Sequence, residues 1–398
     1  MVYPMQTIFF LLGLLSGFYW FPMLPTHILY PVKYFIAFLS ILILVLAKRF
    51  DKIGVNELLV LLILSCFLMG VLYHFPSDDF QLSSAIDYSI VALLLYISIG
   101  NFRVYSALPS LLEGVYFFSL ISSLYTIISW YTSTNLAPEA VIHSRVSLDY
   151  NTMGFSYSHT VAAPTYCIGI IFLWSQRANH SSLVFFPALL ILLGGLYLTT
   201  GEASAISLLL SSFLLYLPGI GRVVLLSFLH FGYLTFIHYA PTLSLTRLGD
   251  FLPTIAERLA SLYAGFSMLK GNFWFGSGPG NSGLHFNSLS ESYGLSYLVT
   301  GETLQPHSPF ILLISEFGFW GILAGLLLFF LLCKALLQRG NDPLFLLFQN
   351  IVGYFAIVSL FEPWPFVSNL FITIVALLSL ALVFSIYGTR SEKRRGVS

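Results

Sequence analysis

His307, in the segment Gln305-Pro306-His307-Ser308-Pro309, is the side chain best placed to do chemistry. Ser308 followed by Pro309 reads as a helix N-cap with proline at the first helical position, which puts the imidazole just outside a helix N-terminus. The positive end of the helix dipole keeps such a ring neutral and able to accept a proton. A histidine that only hydrogen-bonds at a membrane interface would look the same from this position alone. Upstream, Glu257-Arg258 opens a stretch in which Leu259, Leu262, Phe266 and Leu269 recur at helical spacing, the pattern of an amphipathic interfacial helix. At its N-terminal end the Arg258 guanidinium adds to free backbone N–H groups, a combination suited to phosphate or diphosphate. Pairing with Glu257 or snorkelling to headgroups are the competing roles.

Other residues extend this set. Gly276-Ser277-Gly278-Pro279-Gly280-Asn281 permits a tight turn that lets backbone approach a ligand, and equally an ordinary surface turn. Arg145 lies in His143-Ser144-Arg145 ahead of Asp149-Tyr150-Asn151, and pairs equally well with Asp149. Arg247 is a further arginine of the second long loop, and Glu202 interrupts an apolar stretch as a possible counter-ion. Glu316 falls seven residues into the apolar run after Ser308, about 10 Å along a helix and on the face opposite His307. It is therefore expected to pack or position rather than to pair with His307. Gly318, Gly321 and Gly325 after it suit close helix packing.

The elements that must position these residues are membrane spans. With 57% apolar and 9% charged residues and a mean hydropathy of +0.87, the chain departs from soluble domains, in which about a quarter of residues are charged. Residues 1–398 read as one all-α integral membrane domain of about twelve helices. The expected spans are Gln6–Leu24, Leu29–Ala47, Leu58–Phe75, Ser84–Gly100, Leu108–Tyr131, Thr160–Trp174, Leu183–Thr200, Ala203–Leu217, Val223–Tyr239, Pro309–Leu332, Pro343–Phe361 and Phe366–Tyr387. Asp87 and Glu113 fall inside the fourth and fifth. Placing Lys48, Arg49, Lys52, Arg103, Arg177, Arg222, Lys334, Arg339 and the basic C-terminus in the cytoplasm satisfies every alternation, with both termini inside. The two long connections, 132–159 and 240–308, then face outward, and the second carries most of the candidate site.

Zero net charge by itself says nothing about nucleic acid, but no basic DNA-binding face is present. An outward site excludes ATP and nucleotide sugars, and no GxxxxGK[ST] loop is present. Cys66, Cys167 and Cys333 sit in apolar runs without CxxC spacing, so neither metal nor disulfide is expected.

Spread over residues 145–325, these elements resemble the O-antigen polymerase and ligase superfamily. Arg145 with Asp149-Tyr150-Asn151-Thr152-Met153-Gly154 looks like the family's first arginine loop with its D-P-N-x-x-G element, tyrosine standing for proline. Glu257-Arg258 through Gly276-Ser277-Gly278-Pro279-Gly280-Asn281 is similar to its arginine helix and G-x-G-x-G-N turn. His307-Ser308-Pro309-Phe310 with Glu316-Phe317-Gly318 and Gly321 looks like its H-N-x-x-L…E-x-G-x-x-G signature, the most specific element, with serine for asparagine. Glu202 stands where the family's T-x-[ST]-R places an arginine, and neither Arg145 nor Arg258 has the R-x10-G spacing of polymerases.

The resemblance implies a GT-C-like fold in the bacterial inner membrane and metal-free, cofactor-free glycosyl transfer at the periplasmic face. Undecaprenyl-diphosphate-linked glycans would be both donor and acceptor, with a chain-length regulator and membrane lipids as further partners. His307 would be the base. Arg258, Arg145, Arg247, Asn151, Glu202, Gly278 and Asn281 would bind substrate, and Glu316, Ser308 and Pro309 would position. A polymerase is favoured over a ligase acting on lipid A core because the outer face carries more acids than bases. A glycan or anion transporter is the alternative from another class. Reporter fusions test the topology: the loops of Arg145 and Arg258 should read as external and those of Arg49, Arg222 and Arg339 as cytoplasmic, and one inverted signal breaks the alternation.

Overall fold

The computed structural model describes residues 2–16, 55–75, 82–98, 108–132, 159–199, 201–239, 262–263, 265–282, 308–338 and 342–360, with isolated positions at 38, 42, 340, 375, 376, 379, 380 and 383. Only helices, turns and irregular segments occur among them. Ten α-helices have described bounds: α1 Val2–Ser16, α2 Val55–His74, α3 Leu82–Ser98, α4 Leu108–Thr132, α5 His159–Ser175, α6 Ser182–Leu198, α7 Glu202–Tyr216, α8 Gly219–Tyr239, α9 Pro309–Leu337 and α10 Pro343–Val358. Each overlaps an expected span. The expected spans Leu29–Ala47 and Phe366–Tyr387 lie almost wholly outside the described residues. By length and composition α2, α4 and α9 are long and apolar enough to cross a membrane.

α4 is the hub. Its length comes from an uninterrupted apolar run, and its small polar residues Ser119, Ser122, Ser123, Thr126 and Ser129 are all buried. Small hydroxyl side chains let backbones approach and bond across helices where no water competes. Ser123 donates to the Ile191 carbonyl of α6 at 2.6 Å, and Ser122 and Thr126 meet the Tyr166 hydroxyl of α5 at 3.1 and 3.0 Å. On another side, Gly114 of α4 faces Gly13 of α1 so closely that a Cβ on either would strike the other helix's backbone, at Phe10 and Leu111 respectively. Large apolar residues such as Leu183, Leu190, Leu209 and Phe228 point outward on the outer helices, as lipid-facing residues do.

At one end of the bundle the helix termini are tied by side chains. Gln349 of α10 donates to the carbonyls of Ala335, Leu336 and Gln338 at 3.2, 3.4 and 2.9 Å, satisfying the frayed end of α9. Its amide oxygen accepts from Arg222 at 2.6 Å, and Arg222 also reaches the Leu215 and Leu217 carbonyls that end α7. Lys334 donates to Asn56 at 2.7 Å, placing the start of α2 at this same end.

α9 differs from the expected single straight span. Gly318 has φ 58° and ψ −130°, far from helical values. In a straight helix Leu313 and Gly321 would be about 12 Å apart and Phe310 and Gly325 about 22 Å apart along the axis. Instead a Cβ on Gly321 would collide with the Leu313 carbonyl, and one on Gly325 would lie 3.3 Å from the Phe310 ring. The chain has therefore doubled back: residues 309–317 and 319–337 form a helical hairpin with Gly318 at its tip. The second arm, about 28 Å long, is by itself nearly long enough to cross a hydrocarbon core of about 30 Å. Phe310 level with Gly325 also inverts the expected order, because Ser308 lies on the Lys334 side of the tip and Glu316 lies next to it.

A Cβ at Gly318 would meet the Phe273 carbonyl and the amides of Phe275 and Gly276, on a φ that L residues avoid. Gly318→Ala is expected to cost at least about 1–3 kcal/mol from backbone strain alone. Thermal unfolding of purified protein in detergent should show the loss, whereas an unchanged midpoint would mean the hairpin tip is wrongly drawn.

Candidate functional site

Breaking a helix frees carbonyls on one side and amides on the other, and in apolar surroundings each needs a protein partner. The glycine-rich segment 272–282 supplies them. Ser277 N–H donates to Ser315 O at 2.9 Å, Gly278 N–H to Glu316 O at 3.0 Å, and Phe319 N–H to Phe273 O at 2.7 Å. The segment can lie this close because Gly276, Gly278 and Gly280 take φ of 67°, 94° and 79°, and a Cβ at Gly276 would fall within 2.6 Å of the helix backbone. Asn272 and Asn281 hold the turn from within, through Asn272 Oδ1 to Phe275 N–H at 3.3 Å and Asn281 Nδ2 to Ser277 O at 3.1 Å.

The Glu316 side chain sits at the centre of this junction, 1% exposed. Tyr88 of α3 donates to Oε2 at 2.6 Å and Ser282 of the loop to Oε1 at 2.7 Å, with the backbones of Gly280 and Ser282 also hydrogen-bonded to it. A buried carboxyl group is tolerable only when so surrounded by donors. Tyr88 is held in turn by Phe317, edge-on at 4.8 Å, and by Phe67 of α2 at 5.4 Å. The C-terminal end of α2 closes the side: Tyr73 stacks flat on Phe275 at 3.8 Å, and His74 Nε2 donates to Phe275 O at 3.2 Å. That bond leaves Nδ1 of a neutral ring as an acceptor, 3.2 Å from where a Gly278 Cβ would be.

Among the residues expected from sequence, Gly278, Asn281 and Glu316 come together here. Asn281 is buried, and its Oδ1 has no partner among the described residues. Ser308 is the N-cap of α9 with Pro309 in its first turn, as expected, but makes no side-chain capping bond. Both are buried on the far side of the hairpin from Glu316. Glu202 is exposed in the first turn of α7, and among the described residues no hydrogen bond joins it to this junction. His307, Arg145, Asn151, Arg247 and Arg258 lie outside the described residues. Of the amphipathic stretch, residues 262–263 and 265–267 are helical, with Leu262 buried and Phe266 exposed. Sequence reasoning missed Tyr88 and His74. It stopped one residue short of the first, at Asp87, and the signal for the second was a lone imidazole at the polar end of an apolar run.

The arrangement can hold a loop rigidly against a broken helix and present an imidazole and an amide oxygen beside it. No group of three or more histidine, cysteine or acidic side chains fit to hold a metal occurs among the described residues. No protein-family model, curated protein or solved structure matches the chain.

Because Tyr88 and Glu316 share one network, their substitutions should not add. Tyr88→Phe and Glu316→Gln should each destabilise the protein, with a coupling of about 0.5–2 kcal/mol in the double variant. Denaturant unfolding measures it, and strict additivity would mean the 2.6 Å contact carries no energy.

Proposed function

We propose that the chain is a surface-polysaccharide polymerase that joins undecaprenyl-diphosphate-linked repeat units at the periplasmic face of a bacterial inner membrane. The observation that supports this most is the joining of two sequence elements that carry the family resemblance. The Gly276–Asn281 turn and the Glu316-Phe317-Gly318 element are hydrogen-bonded through Ser315, Glu316 and Ser282. Their types and order suggested one site before any geometry was known.

In this reading the fold is GT-C-like, with about twelve spans, both termini cytoplasmic and the loops 132–159 and 240–308 outside, except that the end of the second dips toward the membrane so that Ser308 lies below the hairpin tip. His307, which directly precedes Ser308, takes the proton of the acceptor sugar hydroxyl. That oxygen attacks the anomeric carbon with inversion, and the bond to the diphosphate oxygen breaks. Undecaprenyl diphosphate leaves with the electron pair, stabilised by Arg258 with Arg145 or Arg247. Neither metal nor cofactor is required. Glu316 positions: through Tyr88 and Ser282 it holds the glycine turn in the helix break.

The discontinuous α9 favours a second reading, a transporter of a glycan or anion, because transporters build their sites at broken helices. The ligase alternative differs only in the acceptor, lipid A core. Correctly inserted His307→Ala and Arg258→Ala proteins should fail to restore long-chain polysaccharide to a deletion strain, and normal chains from either would sink the assignment. Glycan profiling of the deletion strain separates the readings. A single repeat on core indicates a polymerase, full-length lipid-linked polymer a ligase, and single lipid-linked units trapped inside a transporter.

A further inference from the structure

Away from Glu316, on the other side of the hairpin, a cleft of about 130 Å³ runs between α8 and both arms of α9. Phe310, Ile314, Ile322, Leu326 and Phe329 form its apolar walls, and Gly321 and Gly325 make room by lacking side chains. It opens on an apolar face, since Phe231 and Leu326 at its edge are 53% and 52% exposed.

Three polar side chains also line it, Tyr233, Ser308 and His230, and the last carries a buried atom with no partner among the described residues. His230 of α8 lines the cleft at 5% exposure, clasped by Phe310 edge-on at 5.4 Å and Phe329 at 5.1 Å. Its Nδ1 lies 2.9 Å from the Leu226 carbonyl, which can only accept, so Nδ1 carries the hydrogen. Nε2 of the neutral ring is then a lone-pair acceptor, and it is buried with no partner among the described residues. A buried acceptor without a donor costs about 1–3 kcal/mol, which a ligand carrying an O–H or N–H would recover. Among the described lining residues there is no lysine or arginine to meet a diphosphate or carboxylate.

We propose that this cleft binds a neutral amphiphile, a hydrocarbon chain bearing one hydroxyl, with the chain along Phe310, Ile322 and Leu326 and the hydroxyl donating to His230 Nε2. The cleft reaches Ser308, next to the base of the glycosyl-transfer reading, but the proposal rests on His230 and does not depend on that reading. Two sources share the required chemistry, an isoprenoid alcohol and a partial glyceride.

The test uses the full chain in detergent micelles and a photoreactive long-chain alcohol beside its methyl ether, which keeps the chain and loses the donor. The alcohol should label α8 and α9 about five- to tenfold more than the ether, the range one hydrogen bond supports. His230→Leu should bring that ratio to about one. Leu326→Trp, at an exposed position where folding is not at stake, should abolish labelling by both. Stronger displacement by farnesol than by 1,2-dioleoylglycerol assigns an isoprenoid alcohol, and the reverse assigns a glyceride. Equal labelling by alcohol and ether in the unaltered protein overturns the proposal. So does labelling unaffected by Leu326→Trp, or failure of both competitors.

Discussion

Backbone polarity at the Gly318 tip is the constraint on which the centre of the molecule depends. A helix interrupted among apolar helices leaves carbonyls and amides that water cannot reach, and each left bare would cost several kcal/mol. The loop 272–282 answers three of these groups with its own backbone, and can do so only because glycines bring it into contact. Loop and hairpin are therefore a single object: neither conformation is stable without the other. The Glu316 carboxyl adds a third component by drawing in Tyr88, so α3, the loop and the hairpin converge on two oxygen atoms.

The two ends of α9 solve the same problem with different materials. At the tip, backbone meets backbone through glycine. At the far end, side chains do the work, with Gln349 spanning three carbonyls and Arg222 bridging to the end of α7. Long polar side chains fix helices at a distance and leave their spacing adjustable. Direct backbone pairing fixes relative position to within a hydrogen bond, which suits a place where chemistry needs groups held still.

What could be read from sequence follows from how local the cause is. Continuous apolar runs report helices directly, so Leu108–Tyr131 was expected and Leu108–Thr132 is found. The hairpin was invisible because Gly318, Gly321 and Gly325 have the spacing of a helix-packing face. Gly321 and Gly325 do form one, but its partner is the preceding arm of the same run, and Gly318 is the turn between them, which no periodicity can reveal. Arg222 was taken as a topological marker among basic loop residues, yet it is buried and spends its guanidinium on helix ends. Its partner Gln349 lies 127 residues away, beyond any local pattern. Glu316 was readable as a positioning residue because a lone carboxyl in an apolar run must be satisfied by something. The identity of that something, a tyrosine 228 residues earlier, was not.

The contact of Gly13 with Gly114 bears on how the chain is made. α1 is made before α4, and the surface it fits is on a helix whose close-packing glycine comes about a hundred residues later. At ribosomal rates of roughly 5–20 residues per second, α1 waits some 5–20 s before α4 exists. Docking of α1 on α4 therefore follows the synthesis of both, and the pace of translation between the two glycines sets the shortest time in which that contact can form.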